Sequence, residues 1–169
     1  MSLEKHRAEA PRSLRFAVIT ISDTRTASTD TGGPFLVQAI ESAGHVVAFR
    51  AIRKDDRAAI EAAVLEAAGR DDVDLVLTTG GTGIAPRDVT APTLEKLFES
   101  RIPGFGELFR WLSWREIGSA TILSRACAGL VRGKVVVALP GSPKALELAW
   151  REILLPEAGH LVSETLGKR

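Results

Sequence analysis

The chain holds one cysteine, Cys127, among 169 residues. A lone thiol forms no intramolecular disulfide, so a reducing compartment and a cytoplasmic protein are expected. Cys127 lies between Ala126 and Ala128 and reads as a small buried hydrophobe rather than a nucleophile. No run approaches the ~18 uncharged apolar residues that a membrane span requires, so no membrane partner is expected. The first fifteen residues are charged and lack the apolar stretch of a secretory signal. Neither charge sign dominates. The net charge of +1 gives no electrostatic footprint for nucleic acid, and none is expected as a partner. The three histidines, His6, His45 and His160, are scattered without metal-ligand spacing. Walker A, Gly-x-Gly-x-x-Gly and Gly-x-Ser-x-Gly patterns are all missing, as are internal repeats and low-complexity segments.

What remains is an average globular composition, 45% hydrophobic and 25% charged. The length suits one domain. Residues 1–13 are polar and read as a flexible tail, leaving 14–169 as a single domain. Arg15 to Ile21 is a short β-branched run, a strand buried on both faces. Helical periodicity begins near Phe35, where Leu36, Ile40 and Ala43 share a face that Gly44 closes. His45 to Ile52 is a second strand. Asp55 or Asp56 caps a helix over Arg57 to Gly69. Val73 to Thr78 is a third strand and runs into Thr79-Gly80-Gly81-Thr82-Gly83.

Helices are predicted over Thr90 to Ser100 and Phe105 to Ile117. Strands are predicted over Ser124 to Leu130 and Lys134 to Leu139, around the turn Val131-Arg132-Gly133. A last helix spans Ser142 to Leu155, stopped by Pro156. Alternating strands and helices predict an α/β fold: a mainly parallel sheet, helices on both faces, and an antiparallel edge hairpin. Phe105, Phe109, Leu112, Trp111 and Trp114 form an apolar helical stripe, suited to core packing or to an oligomer face.

Ligands in open α/β sheets bind beyond the carboxyl ends of the strands. Three loops fall there: Ser22-Asp23-Thr24, Gly80 to Asp88, and Pro140-Gly141-Ser142-Pro143-Lys144. The glycine run leaves its backbone N–H groups unobstructed, a cradle for an anion to which threonine hydroxyls can add. The same glycines would also serve a purely structural turn. Asp88 beside a phosphate would suit Mg²⁺, which takes few carboxylates plus substrate phosphates; as an exposed Arg87-Asp88 pair it would be a solvated turn. Ser142 can cap a helix and Pro143 suits its first position. Lys144 in the first turn opposes the helix dipole, which favours a nearby anion.

These loops resemble the MoaB/Mog family of molybdenum cofactor biosynthesis proteins. The resemblance rests on Ile21-Ser22-Asp23-Thr24, Asp30-Thr31-Gly32-Gly33-Pro34, Thr78 to Gly83, Pro86-Arg87-Asp88-Val89-Thr90 and Leu139 to Lys144, over residues 14–160. Pro103 to Arg110, Ile117 to Thr121 and Ser124-Arg125-Ala126 are closer to the MoaB branch. The family implies a three-layer α/β/α sandwich assembled as a trimer or hexamer. It implies molybdopterin as substrate and, in active members, transfer of AMP from Mg-ATP onto the molybdopterin phosphate. The product then passes to a downstream molybdenum-insertion protein. Carried over, Thr79, Gly80, Gly81, Thr82 and Gly83 hold phosphate. Asp88 and Asp55 are the catalytic and metal-binding carboxylates. Ser22, Asp23, Ser142 and Lys144 line the pocket. The alternative is a catalytically silent oligomer that binds molybdopterin or a precursor. One departure is Ala91-Pro92-Thr93, where the family commonly has Pro-Glu-Ala.

Overall fold

A computed structural model describes residue 11 and residues 13–166. The tail expected over residues 1–13 therefore lies almost wholly outside the described residues, as do 167–169. The described chain is a three-layer α/β/α sandwich around one sheet of six strands. The strands are β1 (Arg15–Ile21), β2 (Val46–Arg53), β3 (Leu75–Thr79), β4 (Ser100–Arg101), β5 (Cys127–Val131) and β6 (Lys134–Leu139). Their order is β2-β1-β3-β6-β5-β4. The first four in that order are parallel neighbours; β5 and β4 add the antiparallel edge.

Alternation along the strands explains the two layers. In β1, Phe16 and Val18 face one core together with Leu75, Leu77, Val135 and Val137. Helices α1 (Gly32–Ser42), α4 (Pro103–Ile117), α5 (Pro143–Ala149) and α6 (Leu155–Thr165) cover that face through Leu36, Ile40, Phe105, Phe109, Leu146 and Val162. Ala17, Ile19 and Ile21 point the other way, onto Ile60, Val64 and Ala67 of α2 (Arg57–Gly69) and Leu94 of α3 (Thr90–Leu97). Both sides of β1 are thus buried, as its unbroken apolar run predicts.

Several boundaries differ from the sequence reading. Helix α1 starts three residues before Phe35, because Asp30 supplies an acceptor to the Gly33 N–H at its first turn, 3.1 Å away. The helix from Thr90 ends at Leu97, and Ser100–Arg101 pairs with β5 instead of extending it. Strand β5 begins at Cys127 rather than Ser124, and its hairpin turn has two central residues, Arg132 and Gly133, both at positive φ. Pro156 does not stop the last helix. A wide turn over Trp150–Leu154 intervenes, in which Leu155 N–H reaches back five residues to Trp150 O. That expansion relieves the clash a proline makes with the carbonyl four residues earlier, and the helix resumes to Thr165. The apolar stripe on α4 divides. Phe105 and Phe109 are core, whereas Trp111 and Trp114 are more than half exposed, at 57% and 58%. Among the described residues no helix is long and apolar enough to cross a membrane.

Asp30 ties the sheet to α1. Its carboxylate is buried and accepts from Thr20 Oγ1 at 2.8 Å, from Gly33 N–H and from Arg50 at 3.3 Å. Asp30→Ala strands a buried hydroxyl and a buried N–H. It is expected to cost about 2–3 kcal/mol, a fall of roughly 5–10 °C in melting temperature, with Asp30→Asn less damaging. Thermal unfolding by circular dichroism checks this.

Candidate functional site

Strands β1, β3 and β6 lie side by side in register, with Thr20 opposite Thr79 and Thr79 opposite Leu139. Their carboxyl ends therefore release three loops at one edge. From β1 the chain goes first to β2 on one side and then to β3 on the other, so this edge is where the strand order reverses. The three loops named from sequence do converge here.

The glycine loop is shaped by what its neighbours leave room for. Gly80 has φ +108, and its N–H is held by Leu139 O at 3.0 Å. A side chain on Gly80 would overlap the Ile21 carbonyl of β1. Gly81, at φ +65, sits against Thr90 Oγ1 and Asp55. Thr79 is buried and its hydroxyl donates to Pro140 O at 3.0 Å, so it locks β3 to the next loop. Two of the residues expected to cradle an anion, Thr79 and the Gly80 N–H, are thus spent on structure. The N–H groups of Gly81, Thr82 and Gly83 remain as candidate donors.

Asp88 folds back over this loop. Its Oδ2 accepts from Ala85 N–H at 3.0 Å, and a Cβ on Gly83 would come within 2.6 Å of the same oxygen. Asp55 approaches from the end of β2. The neighbouring Asp56 caps α2 by accepting from Ala59 N–H at 3.0 Å, which leaves Asp55 free for the site. Asp55 N–H donates to Asp23 Oδ1 at 3.0 Å, and Asp55 Oδ1 accepts from Val89 N–H at 3.4 Å. Burial raises the Asp55 pKa above its ordinary value, and the charges of Asp88 and Asp23 add to this against the Val89 bond and Arg87. Ser22 accepts from Thr24 and Arg25 N–H at 3.2 and 3.1 Å, setting the turn that carries Asp23.

Two cavities meet at Asp88. One, about 160 Å³, is lined by Ser22, Asp23, Asp55, Arg87 and Asp88. The other, about 420 Å³, has Gly80 to Gly83, Asp88 and Ser142 on one side and Phe109, Ile117 and Leu123 on another. Ser142 also caps α5 through Ala145 N–H. Lys144 is exposed and lines an adjoining cavity of about 740 Å³ instead, shared with Glu116, Glu147 and Arg151. Ser142 borders both spaces.

The donor set fits a divalent cation in a limited way. Among the described residues no three acidic, histidine or cysteine side chains are grouped as metal ligands. Asp55 and Asp88 crowd negative charge, and the buried Thr90 hydroxyl beside Gly81 and Asp55 has no hydrogen-bond partner among the described residues. Mg²⁺ completes such a sparse set with phosphate oxygens and water.

Arg125 was given no role by the sequence. Its guanidinium donates to Gly83 O at 2.8 Å and Asp88 O at 2.6 Å, and its N–H to Thr82 O at 2.8 Å. No spacing rule reveals a partner so far along the chain. The sequence marks Asp30 and Thr90 only as members of motifs. Cys127 is half-buried rather than fully buried, and burial pushes its thiol up to about 12, against thiolate chemistry. His45 Nδ1 accepts from Leu14 N–H at 3.2 Å and burial lowers its pKa; His160 pairs with Glu157 at 3.1 Å; His6 lies outside the described residues.

Residues 17–160 match the family model described as "Probable molybdopterin binding domain". The chain belongs to the MoaB/Mog family of molybdenum cofactor biosynthesis proteins. It is 48% identical to "Molybdenum cofactor biosynthesis protein B" of Bacillus anthracis, over 97% of this chain and 98% of that one. A crystal structure of a molybdenum cofactor biosynthesis protein B superposes with TM-score 0.91 at 46% identity, covering 95% of this chain and all (100%) of that chain. The tungsten cofactor synthesizing protein MoaB from Pyrococcus furiosus follows at TM-score 0.82 and 36% identity, over 92% and 99% of the two chains. These names place the chain on the MoaB side of the family.

The raised Asp55 pKa has a consequence for stability. A carboxyl whose folded pKa exceeds its unfolded one favours the fold below the unfolded value and loses that contribution as pH rises through the folded one. Asp55→Asn keeps the Val89 bond and removes the charge. It should melt above wild type, by roughly 1–3 °C at pH 7, with the gap closing as pH falls to about 4. Melting curves across pH check both sign and window.

Proposed function

We propose that this MoaB/Mog-family chain transfers AMP from Mg-ATP onto the phosphate of molybdopterin. The observation that carries the reading is the position of Asp88 at the junction of two cavities of different character. The larger has an apolar wall for a pterin ring and a glycine loop for its phosphate. The smaller is lined by carboxylates and suits a metal-bound nucleotide phosphate. The names of the relatives support a role in molybdenum cofactor biosynthesis, and the family model supports molybdopterin binding.

In this mechanism the N–H groups of Gly81 to Gly83 hold the molybdopterin phosphate, which is already an anion and needs no side-chain base. Asp55 and Asp88 would hold Mg²⁺, whose charge would offset that of the reacting phosphates. Arg87 lies beside the nucleotide side of the site, and Ser22 and Asp23 fix the turn that closes it. Holding two phosphates in line supplies proximity, and fixed donors supply electrostatic stabilisation.

A trimer or hexamer is part of the reading. Trp111, Trp114, Ile117 and Ile122 are exposed around α4 and offer an apolar face for a second copy. Sedimentation at micromolar concentration should show an assembly; a monomer would remove this element.

Asp88→Asn tests the chemistry. Asn preserves the acceptor for Ala85 N–H, so melting should stay within about 2 °C of wild type. Turnover should fall roughly a hundredfold or more while pterin affinity changes little, the scale of losing one preorganised electrostatic group. Wild-type turnover in this variant would exclude Asp88 from catalysis. A wild-type protein that binds molybdopterin without turnover would favour the silent binding oligomer.

A further inference from the structure

We infer that Arg125 is the positioning residue that holds the anion-binding loop in its receptive shape. The inference rests on the phosphate reading of that loop. Segment 83–88 leaves β3 and returns to α3 with few ties to the sheet. It has a local turn, in which Asp88 N–H donates to Ala85 O at 2.9 Å and Asp88 Oδ2 accepts from Ala85 N–H at 3.0 Å. Beyond the turn, Thr90 N–H on Gly81 O at 3.1 Å and Val89 N–H on Asp55 Oδ1 at 3.4 Å tie only the end next to α3. Arg125 ties both ends. Nε donates to Gly83 O at 2.8 Å and Nη2 to Asp88 O at 2.6 Å, one rigid fork spanning both ends of the segment. Its backbone N–H holds Thr82 O at 2.8 Å.

The geometry has a second consequence. Each carbonyl that Arg125 draws back belongs to a peptide adjoining the loop. With the carbonyl of Gly83 turned to Arg125, it is withheld from the ligand side, where it would repel a phosphate. Among the described residues no ion pair forms to Arg125, whose hydrogen bonds go to backbone carbonyls. A guanidinium can do this and an ammonium cannot. Arg presents planar, diverging donors with fixed separation, whereas Lys offers one point charge that can reach one carbonyl well.

The test uses the full chain and its Arg125→Lys and Arg125→Gln variants. Hydrogen exchange is read at the Ala85, Asp88 and Thr90 amides, and affinity for inorganic pyrophosphate is read by calorimetry. Both variants should exchange at least about tenfold faster at these amides, with β3 and β6 unchanged, and should bind pyrophosphate at least about tenfold more weakly. Wild-type exchange in both variants would overturn the inference. So would loosened exchange with unaltered affinity. A wild-type Lys variant beside a defective Gln variant would show that charge, not the fork, matters, and would overturn it too. Faster exchange spread evenly over β3 and β6, with a lower melting temperature, would reduce Arg125 to a general structural role. If the wild-type protein binds no pyrophosphate, the phosphate reading fails. The exchange comparison then decides by itself whether Arg125 holds the loop.

Discussion

The site depends on a contact that only a missing side chain permits. Gly80 leaves β3 pressed against the Ile21 carbonyl of β1, with its own N–H on Leu139 of β6. Three parallel strands are joined at that residue. Because the backbone passes so closely, the following glycines run across the sheet edge between the loops of β1 and β6. A Cβ at Gly80 would lift the loop off β1 and separate Asp23 and Asp55 from Asp88. The conformation itself, φ +108, is one that side chains rarely adopt.

Around that ridge the sequence divides labour between neighbours. Asp56 caps α2 and Asp55 enters the site; Ser142 caps α5 while bordering the larger cavity; Thr79 and Thr82 are buried while Gly81 and Gly83 are half-buried. Structural needs are met by Asp56, by Thr79 and by the Ser142 cap. Asp55, whose pKa is raised, and the Thr90 hydroxyl, which has no hydrogen-bond partner among the described residues, are left under-satisfied. Unmet charge and hydrogen-bonding capacity of this kind fits a ligand-binding site.

Much of this was legible in the sequence, and for definite reasons. Apolar β-branched runs reported β1 and β3, and strand–helix alternation reported the parallel sheet, because burial on two faces leaves a periodic record. The glycine run and the carboxyl-end rule located the site. What escaped was non-local or compensated. Arg125 acts on carbonyls some forty residues earlier, which leaves no periodic trace. Pro156 was taken as a helix stop because its clash is relieved only by the wide turn over Trp150–Leu154, which no residue type announces. Lys144 reads from the sequence as a pocket residue; it is exposed and lines the cavity that adjoins the glycine-loop space. Trp111 and Trp114 share α4 with Phe105 and Phe109, yet only the last two reach the core.

The central claim is that the two cavities meeting at Asp88 bring a pterin phosphate and a nucleotide into reaction. The most direct measurement is incubation of the wild-type protein with molybdopterin, ATP and Mg²⁺, followed by mass spectrometry of the released pterin. The account predicts adenylated molybdopterin and an equivalent of pyrophosphate, both dependent on Mg²⁺. Bound but unmodified molybdopterin, with ATP intact, would contradict it.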